Sequence, residues 1–206
     1  MANNKTNKVQ QLQRNLYHRA KQDIKAKFYS LYDKLYRTDL LWKAWEQVKG
    51  NSGAPGIDHQ SIESIVSAHQ EVQFLSQIQE KLQTKSYKFQ PVRQVNIPKP
   101  QGGMRPLGIG TVADRVVQTA MKLLLEPIFE ADFHDCSYGY RPSRNAKQAS
   151  SAIMADLYNR AWAVVEIDFQ SYFDSIPHHK LLILIRERVS DGSMRRIIKQ
   201  SLKLPP

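Results

Sequence analysis

The sequence predicts an α+β protein that begins with a basic helical arm. Apolar residues recur at helical spacing through residues 6–48, with no Gly or Pro between them. Two later segments have strand character, residues 87–97 by alternation and residues 162–169 as a short apolar run that indicates a buried strand. Helical patterns separate these segments without the regular alternation of strand and helix that a doubly wound sheet requires.

Composition excludes several classes of protein. Among the 206 residues there is one cysteine, which rules out an internal disulfide framework and a multi-cysteine zinc site. No apolar run approaches the roughly 20 residues of a membrane helix. The polar start, MANNKTNK, lacks the apolar segment of a signal peptide. These features predict a cytoplasmic protein with no membrane partner.

The charge balance points to nucleic acid. Thirty Lys and Arg against nineteen Asp and Glu give a net charge of +11, which is typical of proteins that bind phosphate backbones. In the arm, Lys25 and Lys27 are interleaved with aromatic residues such as Phe28 and Tyr29. Aromatic rings could stack on bases while the lysines contact phosphates. The alternatives are a solvated helix face, a ribosome-like basic surface, or an aromatic stripe that belongs to a core.

Turn residues place the other boundaries. The Gly- and Pro-rich stretch KGNSGAPGID, residues 49–58, ends the arm, and helical spacing returns through residues 61–85. The segment PKPQGGMRPLGIG, residues 98–110, has the turn residues of a hairpin tip. Further helices are predicted at residues 111–129 with Thr111 as the cap, at residues 145–159 and at residues 177–188.

Asp168 is the sharpest candidate for a chemical role, because it lies at the end of the second predicted strand, in EIDFQSYFDSI. Its carboxylate and the neighbouring backbone carbonyl of Phe169 are oxygen ligands of the kind that Mg²⁺ takes. In nucleotidyl transfer, two such ions activate the attacking hydroxyl and stabilise the leaving pyrophosphate. The alternative for an aspartate in this position is a structural cap or turn.

Lys99 and Arg105 flank the glycine turn of the predicted hairpin, Gly102 and Gly103. Such a turn would let two cations on the arms of a hairpin converge on one ligand. A compact ammonium and a forked guanidinium together suit a triphosphate. The alternative is a solvated hairpin tip. These glycines match neither GxGxxG nor GxxxxGK[ST], which argues against Rossmann and P-loop sites.

Four segments, taken in order, resemble a bacterial group II intron reverse transcriptase/maturase. They are GAPGID (residues 53–58), IPKPQGGMRPLGIGTVADRVVQ (97–118), SYGYRPSRNAKQA (137–149) and EIDFQSYFDSIPH (166–178). The basic arm before them is similar to the family's N-terminal extension. Reverse transcriptases attached to CRISPR systems and retron-like enzymes share parts of these motifs, but the arm and RPLGIGTVADRVVQ favour group II introns.

The resemblance implies the right-hand fold of polymerases. Residues 1–50 would form the basic helical N-terminal extension, residues 51–160 the fingers with the helices between fingers and palm, and residues 161–206 a partial palm with the strand of the first catalytic aspartate. The implied cofactor is Mg²⁺. The implied partners are intron RNA, an RNA template with a DNA primer, and dNTPs.

The same resemblance assigns roles to individual residues. Asp168 would be the first catalytic, metal-binding aspartate, with the carbonyl of Phe169 assisting. Phe173 matches the aromatic residue that lies under the incoming sugar and excludes a 2′-OH by its bulk. The remaining residues in the matching motifs would grip the triphosphate (Lys99 and Arg105) or lie in the motif that lines the template path (Arg141 and Arg144).

One departure from the family is large. The Tyr-x-Asp-Asp motif, which supplies the remaining metal carboxylates, occurs nowhere in these 206 residues. Because one carboxylate makes a poor two-metal site, we expect the chain not to polymerise alone. It would need the rest of a longer polypeptide or a complementing C-terminal fragment. A non-catalytic RNA-binding protein that helps an intron fold, and a truncated remnant of a mobile genetic element, stay open as alternatives.

Overall fold

The structure, a computed structural model, describes residues 2–100, 102–159 and 162–204. Within these ranges it contains helices and one two-stranded sheet, which confirms the α+β prediction. The helices are α1 (Ala2–Gln22), α2 (Tyr32–Leu35), α3 (Thr38–Gly50), α4 (Ile62–Ser67), α5 (Glu71–Gln83), α6 (Val112–Glu130), α7 (Ala146–Tyr158), α8 (Tyr172–Ser175), α9 (His178–Arg188) and α10 (Gly192–Leu202), and the strands are β1 (Arg93–Pro98) and β2 (Met104–Ile109). None of the helices in the described ranges is long and apolar enough to cross a membrane.

The core lies where α1 and α3 pack against α6. Along α6, Val116, Ala120 and Leu124 recur every four residues and are fully buried, as one face of an amphipathic helix requires. Trp45 of α3 is also fully buried, and its ring lies 5.5 Å from that of Phe74 on α5. The basic arm is therefore packed into the same core as the rest of the chain.

The continuous helix predicted for residues 6–48 is wrong. Helix α1 ends at Gln22, and the next helix begins at Tyr32. Between them, Phe28 forms a parallel β-bridge with Val189, far along the chain. Backbone groups of this segment form hydrogen bonds with a distant part of the chain. The segment therefore does not form the helix that its periodicity predicts.

Arg188 closes the C-terminal end of α1. Its side chain is 6% exposed, and its guanidinium donates hydrogen bonds to the backbone carbonyls of Ala20, Asp23 and Ile24. Its Nε lies 3.0 Å from Oδ2 of Asp132, an ion-pair distance without hydrogen-bond geometry. Carbonyls at the end of a helix lack partners within the helix, so this buried cation supplies the donors they need.

Asp191 caps two helices with one carboxylate. Its Oδ1 accepts from the N–H groups of Ser193 and Met194 at the start of α10, at 2.9 and 3.0 Å. Its Oδ2 accepts from the N–H groups of Leu31 and Tyr32 at the start of α2, at 2.9 and 2.8 Å. Burial acts to raise the pKa of Asp191, but these hydrogen bonds hold the pKa below its ordinary value.

We expect Asp191→Asn to lower the free energy of unfolding by about 2 kcal/mol at neutral pH, because an amide cannot accept all four hydrogen bonds. Since the folded state depresses this pKa, the stabilisation is present above the unfolded pKa and is lost as the pH falls through the folded value. The difference should therefore shrink below about pH 4 in urea denaturation. As a control, Asp135→Asn, at an exposed ion pair, should change the free energy of unfolding by less than about 0.5 kcal/mol. A difference for Asp191→Asn that does not vary with pH would contradict the argument.

Several elements are confirmed. The β1–β2 hairpin is antiparallel, and Gly102 and Gly103 in its turn have φ values of 89° and 85°, which glycine adopts without strain. The hydroxyl of Thr111 caps α6, and Asn145 forms a capping box on α7. The helix predicted at residues 177–188 is present as α9.

Two other predictions hold in part. The helical region predicted at residues 61–85 is interrupted at residues 68–70 and forms α4 and α5. The strand predicted at residues 87–97 begins only at Arg93. Before that point the chain instead uses its polar groups to fix the start of α6, since the N–H of Gln90 donates to the side chain of Asp114.

The buried strand predicted at residues 162–169 is wrong. The segment has no regular secondary structure, and its side chains are exposed, Val165 at 83% and Ile167 at 80%. A strand needs a neighbour that takes up its N–H and C=O groups, and in the described ranges the only strands are the two that pair with each other. Asp168 therefore lies on an exposed segment instead of at the end of a buried strand.

Candidate active site

Lys99 and Arg105 lie on one face of the hairpin. The register pairs Arg105 with Ile97, and the N–H of Lys99 donates to the carbonyl of Gly103 at 2.9 Å, which continues the ladder. Paired residues share a face, and so do residues two apart in a strand. Such diagonal neighbours are about 7–8 Å apart, within reach of one polyphosphate. Both side chains are exposed, and neither forms an ion pair within the described ranges.

The loop GAPGID, residues 53–58, links the base of the hairpin to α6. From β1, Nε of Arg93 donates to the carbonyl of Pro55 at 3.0 Å. From α6, Arg115 donates to the carbonyl of Ala54 at 2.9 Å. Burial lowers the pKa of Arg115, but an arginine remains charged at neutral pH. The guanidinium groups of Arg93 and Arg115 thus anchor β1 and α6 to the same loop, GAPGID.

Two further features fix the GAPGID loop and the start of α6. They are a close backbone approach at Gly56 and a buried hydrogen bond between Tyr87 and Asp114. Gly56 packs so tightly on Thr111 that a Cβ atom would lie 2.7 Å from its backbone N and Cα, which excludes any side chain there. Asp114 is 1% exposed and accepts from the hydroxyl of Tyr87 at 2.8 Å. Burial, reinforced by the nearby carboxylate, raises the pKa of Tyr87 far above its ordinary value. The phenol therefore stays protonated and keeps donating.

Phe173 belongs to an exposed cluster of aromatic rings with Phe169, Tyr172 and Tyr140. Ring centroids are 5.9 Å apart for Tyr140 and Phe173, 5.4 Å for Tyr172 and Phe173, and 5.9 Å for Phe169 and Tyr172. The contact of Tyr140 brings the loop SYGYRPSRNA to the segment EIDFQSYFDSI. The exposed rings offer stacking surfaces for a base or a sugar.

The oxygen ligands for a cation are sparse. Asp168 is exposed, and within the described part of the chain no three His, Cys, Asp or Glu side chains are grouped so that they could hold a metal ion. The carboxylate of Asp168 and the carbonyl of Phe169 supply two ligand types that Mg²⁺ accepts, but a two-ion site needs further carboxylates. These residues alone do not fit such a site.

Arg141 faces inward. Its side chain is 5% exposed, and it donates to the carboxylate of Glu130, with a shortest distance of 2.7 Å. Its Nη1 donates to the carbonyls of His134 and Ser137, both at 2.7 Å, and its Cζ lies 5.1 Å from the ring centroid of Phe133. The hydrogen bonds that Arg141 donates to Glu130 raise the pKa of Arg141. These contacts hold the loop after α6 in shape.

The other predicted nucleic-acid contacts lie at the surface. Arg144 lies over the ring of Tyr138, 5.5 Å from its centroid, and 3.4 Å from a carboxylate oxygen of Asp135. Lys25 and Lys27 are exposed and alternate with buried neighbours in the segment between α1 and α2. All three cations can therefore be reached by a ligand from solvent.

The sequence does not single out the residues that assemble these motifs. Tyr140 lies in the motif segment at residues 137–149, and Arg115 lies in the one at residues 97–118. The motifs therefore mark both residues, but they do not indicate which contacts the residues make. Arg93 stands just before the segment that starts at residue 97. The partner that each takes depends on which distant loop the fold places beside it.

The family of this chain follows from comparison with known proteins. The profile described as reverse transcriptase (RNA-dependent DNA polymerase) matches residues 97–204. That range contains both hairpin cations, Asp168 and the aromatic Phe173. The chain belongs to the reverse transcriptase family.

Individual relatives narrow the family to intron-encoded proteins. Group II intron-encoded protein LtrA of Lactococcus lactis subsp. cremoris is 33% identical over 195 residues, which cover 89% of this chain and 30% of LtrA. Protein YkfC of Escherichia coli (strain K12) is 33% identical over 201 residues, 95% of this chain and 52% of YkfC. An uncharacterized 91 kDa protein in the cob intron of Schizosaccharomyces pombe is 31% identical over 170 residues, 82% of this chain and 21% of that protein. The chain thus spans about half or less of the length of these curated relatives, and the resemblance to group II intron reverse transcriptases is confirmed.

Proposed function

We propose that this chain is the N-terminal part of a group II intron-encoded reverse transcriptase and maturase, with Mg²⁺-dependent nucleotidyl transfer on an RNA template as the reaction of the completed enzyme. Residues 1–50 form the basic extension, residues 51–160 the fingers, and residues 161–206 the first part of the palm. Family membership supports the reaction class. The observation that carries the proposal is the shared face of Lys99 and Arg105, which suits a dNTP.

The hairpin is the triphosphate clamp in this proposal. Lys99 contributes a compact charge and Arg105 a fork that matches phosphate oxygens. No carboxylate within the described ranges pairs with either side chain, so none competes with the phosphates there. The hydrogen bond from Arg93 to the GAPGID loop supports the clamp, because it fixes the base of β1.

In this proposal, the segment EIDFQSYFDSI, which carries Asp168 and Phe173, would contact the nucleotide on the side away from the hairpin. Phe173 is the proposed contact to the incoming sugar, and its exposed position beside Tyr140 and Tyr172 suits that role. Asp168 and the carbonyl of Phe169 are the ligands that this chain contributes to the Mg²⁺ site.

The template and primer would run along the cationic surfaces. Lys25, Lys27 and Arg144 are the proposed phosphate contacts, since all three are accessible. The donors of Arg141 are taken up by Glu130 and by backbone carbonyls. Its proposed contribution is therefore to hold the loop that presents Arg144.

Primer extension tests the proposal. We expect the chain to extend a DNA primer on an RNA template, with dNTPs and Mg²⁺, only when a fragment carrying Tyr-x-Asp-Asp is added, because one carboxylate cannot complete a two-ion site. The fragment alone is the matched control. Extension by the unaided chain would overturn the view that it is inactive alone. A stable complex of chain and fragment that fails to extend the primer would contradict the polymerase proposal.

A second function, RNA binding that assists intron folding, is favoured by the net charge of +11 together with the outward position of Lys25 and Lys27. Weakening of RNA binding with salt is expected of any basic chain and does not decide the matter. Selective protection of one intron domain over a scrambled RNA of equal length would support this role. Equal protection of both RNAs would show that the binding is electrostatic and has no specificity for the intron.

A further inference from the structure

Helices α9 and α10 border an open groove of about 430 Å³ that none of the proposed roles uses. Leu182 and Ile183 of α9 and Gly192 of α10 form part of its lining. The other lining residues are Arg186 of α9 and Arg195, Arg196 and Lys199 of α10, and because the lining surface is mainly apolar, their aliphatic stems form much of it. Among the residues that the structure describes, no carboxylate lines the groove.

The four cations have no internal counter-charge. Within the described ranges, none of them forms an ion pair or donates a side-chain hydrogen bond, and Nε of Arg195 is buried without an acceptor. An anion that enters the groove would therefore find these cations without a competing carboxylate among the described residues. Asp191 stands next to Gly192 in sequence, but both of its oxygens are taken up by backbone N–H groups.

The core fixes the helix that carries three of these cations. On α10, Met194, Ile197 and Ile198 are buried, Arg196 and Lys199 on the other side of the helix are exposed, and Arg195 at the edge is partly buried. The capping carboxylate of Asp191 fixes the start of the same helix. A surface that is ordered before it binds loses less conformational entropy on binding.

We propose that this groove binds the phosphate backbone of RNA, as a site separate from the triphosphate clamp and the template contacts. Phosphates would contact the four cations, while sugar or base surfaces would pack on the side chain of Ile183, which is 60% exposed. RNA is favoured over an acidic protein segment because the chain is strongly basic and its family acts on RNA. The inference rests on the proposed RNA-binding function.

The test measures the anisotropy of a labelled RNA hairpin across about 50 to 200 mM salt. We expect the double variant Arg195→Gln with Lys199→Gln to weaken binding about ten-fold and to lower the slope of log Kd against log salt by about 1 to 2. The control double variant, Lys81→Gln with Lys88→Gln, removes the same charge from exposed positions elsewhere. We expect it to weaken binding less than about three-fold.

The outcomes separate the possible failures. Equal losses in both double variants would overturn the inference, because the groove would then be an ordinary solvated basic surface. Poly-glutamate is the second probe, and loss of its binding without loss of RNA binding would indicate an acidic protein segment and overturn the RNA assignment. Failure of the unaltered chain to bind RNA would refute the proposed function itself. If circular dichroism shows the double variant unfolded, the single exposed change Lys199→Gln carries the test, with an expected loss of about three-fold.

Discussion

Replacing Asp168 by alanine is expected to lower primer extension at least about a thousand-fold when the chain is assayed with a fragment that carries Tyr-x-Asp-Asp. That loss corresponds to about 4 kcal/mol of activation free energy. In the proposed function, Asp168 is the carboxylate that this chain offers to the ion site, and a hard cation binds poorly without its anionic ligands. Because the side chain is exposed, its removal should change the free energy of unfolding by less than about 0.5 kcal/mol.

Asp156→Ala is the matched control for this experiment, because Asp156 is an exposed carboxylate on α7 outside the proposed site. Its primer extension should stay within about two-fold of the unaltered chain. A loss of less than about ten-fold for Asp168→Ala would show that the carboxylate is not a ligand of the catalytic ion. In that case the alternative interpretation, a structural aspartate in a turn, would account for its position.

The elements that the sequence predicts correctly are those whose signals are local. Thr111 and Asn145 each accept a hydrogen bond from an N–H three residues on, so the cap and its helix lie in one short stretch. The same holds for the hairpin, where Gly102 and Gly103 supply the conformation that the turn requires. Such elements need no knowledge of the rest of the fold.

The elements predicted wrongly depend on distant partners. The apolar run at residues 162–169 has strand composition, but a strand exists only beside another strand, and composition does not report whether a neighbour is present. The helical periodicity of residues 6–48 is equally real, yet the bridge between Phe28 and Val189 breaks the helix. Here the non-local hydrogen bonds outweigh local helix propensity, which is worth well under about 1 kcal/mol per residue.

In the candidate site, too, the local features could be predicted from the sequence and the features that depend on distant partners could not. The resemblance supplied residue types such as Lys99 and Asp168, but the shared face of the hairpin cations follows from a register that only the structure gives. Arg141 illustrates the limit most clearly, since an arginine in a Gly- and Pro-rich loop suggests an outward contact. The nearby carboxylate of Glu130 and two backbone carbonyls turn it inward instead.

Arg188→Met is expected to lower the free energy of unfolding by about 3–5 kcal/mol. The guanidinium is buried and donates to the carbonyls of Ala20, Asp23 and Ile24, so a methionine, which is shorter and has no donor, would leave these acceptors without partners. It would also leave Asp132 without its cation. Loss of one member of a buried charged network has a cost in this range.

Urea denaturation of Arg188→Met, Arg188→Lys and Arg186→Met would check this expectation. Arg188→Lys keeps the charge but cannot reproduce the forked donor geometry, so it should recover only part of the loss. Arg186 is exposed two positions earlier on α9, and Arg186→Met should change the free energy of unfolding by less than about 0.5 kcal/mol. A loss below about 1 kcal/mol for Arg188→Met would mean that water satisfies the carbonyls at the end of α1 as well as the guanidinium does. The break between α1 and α2 would then depend on the bridge between Phe28 and Val189 without a contribution from the Arg188 side chain.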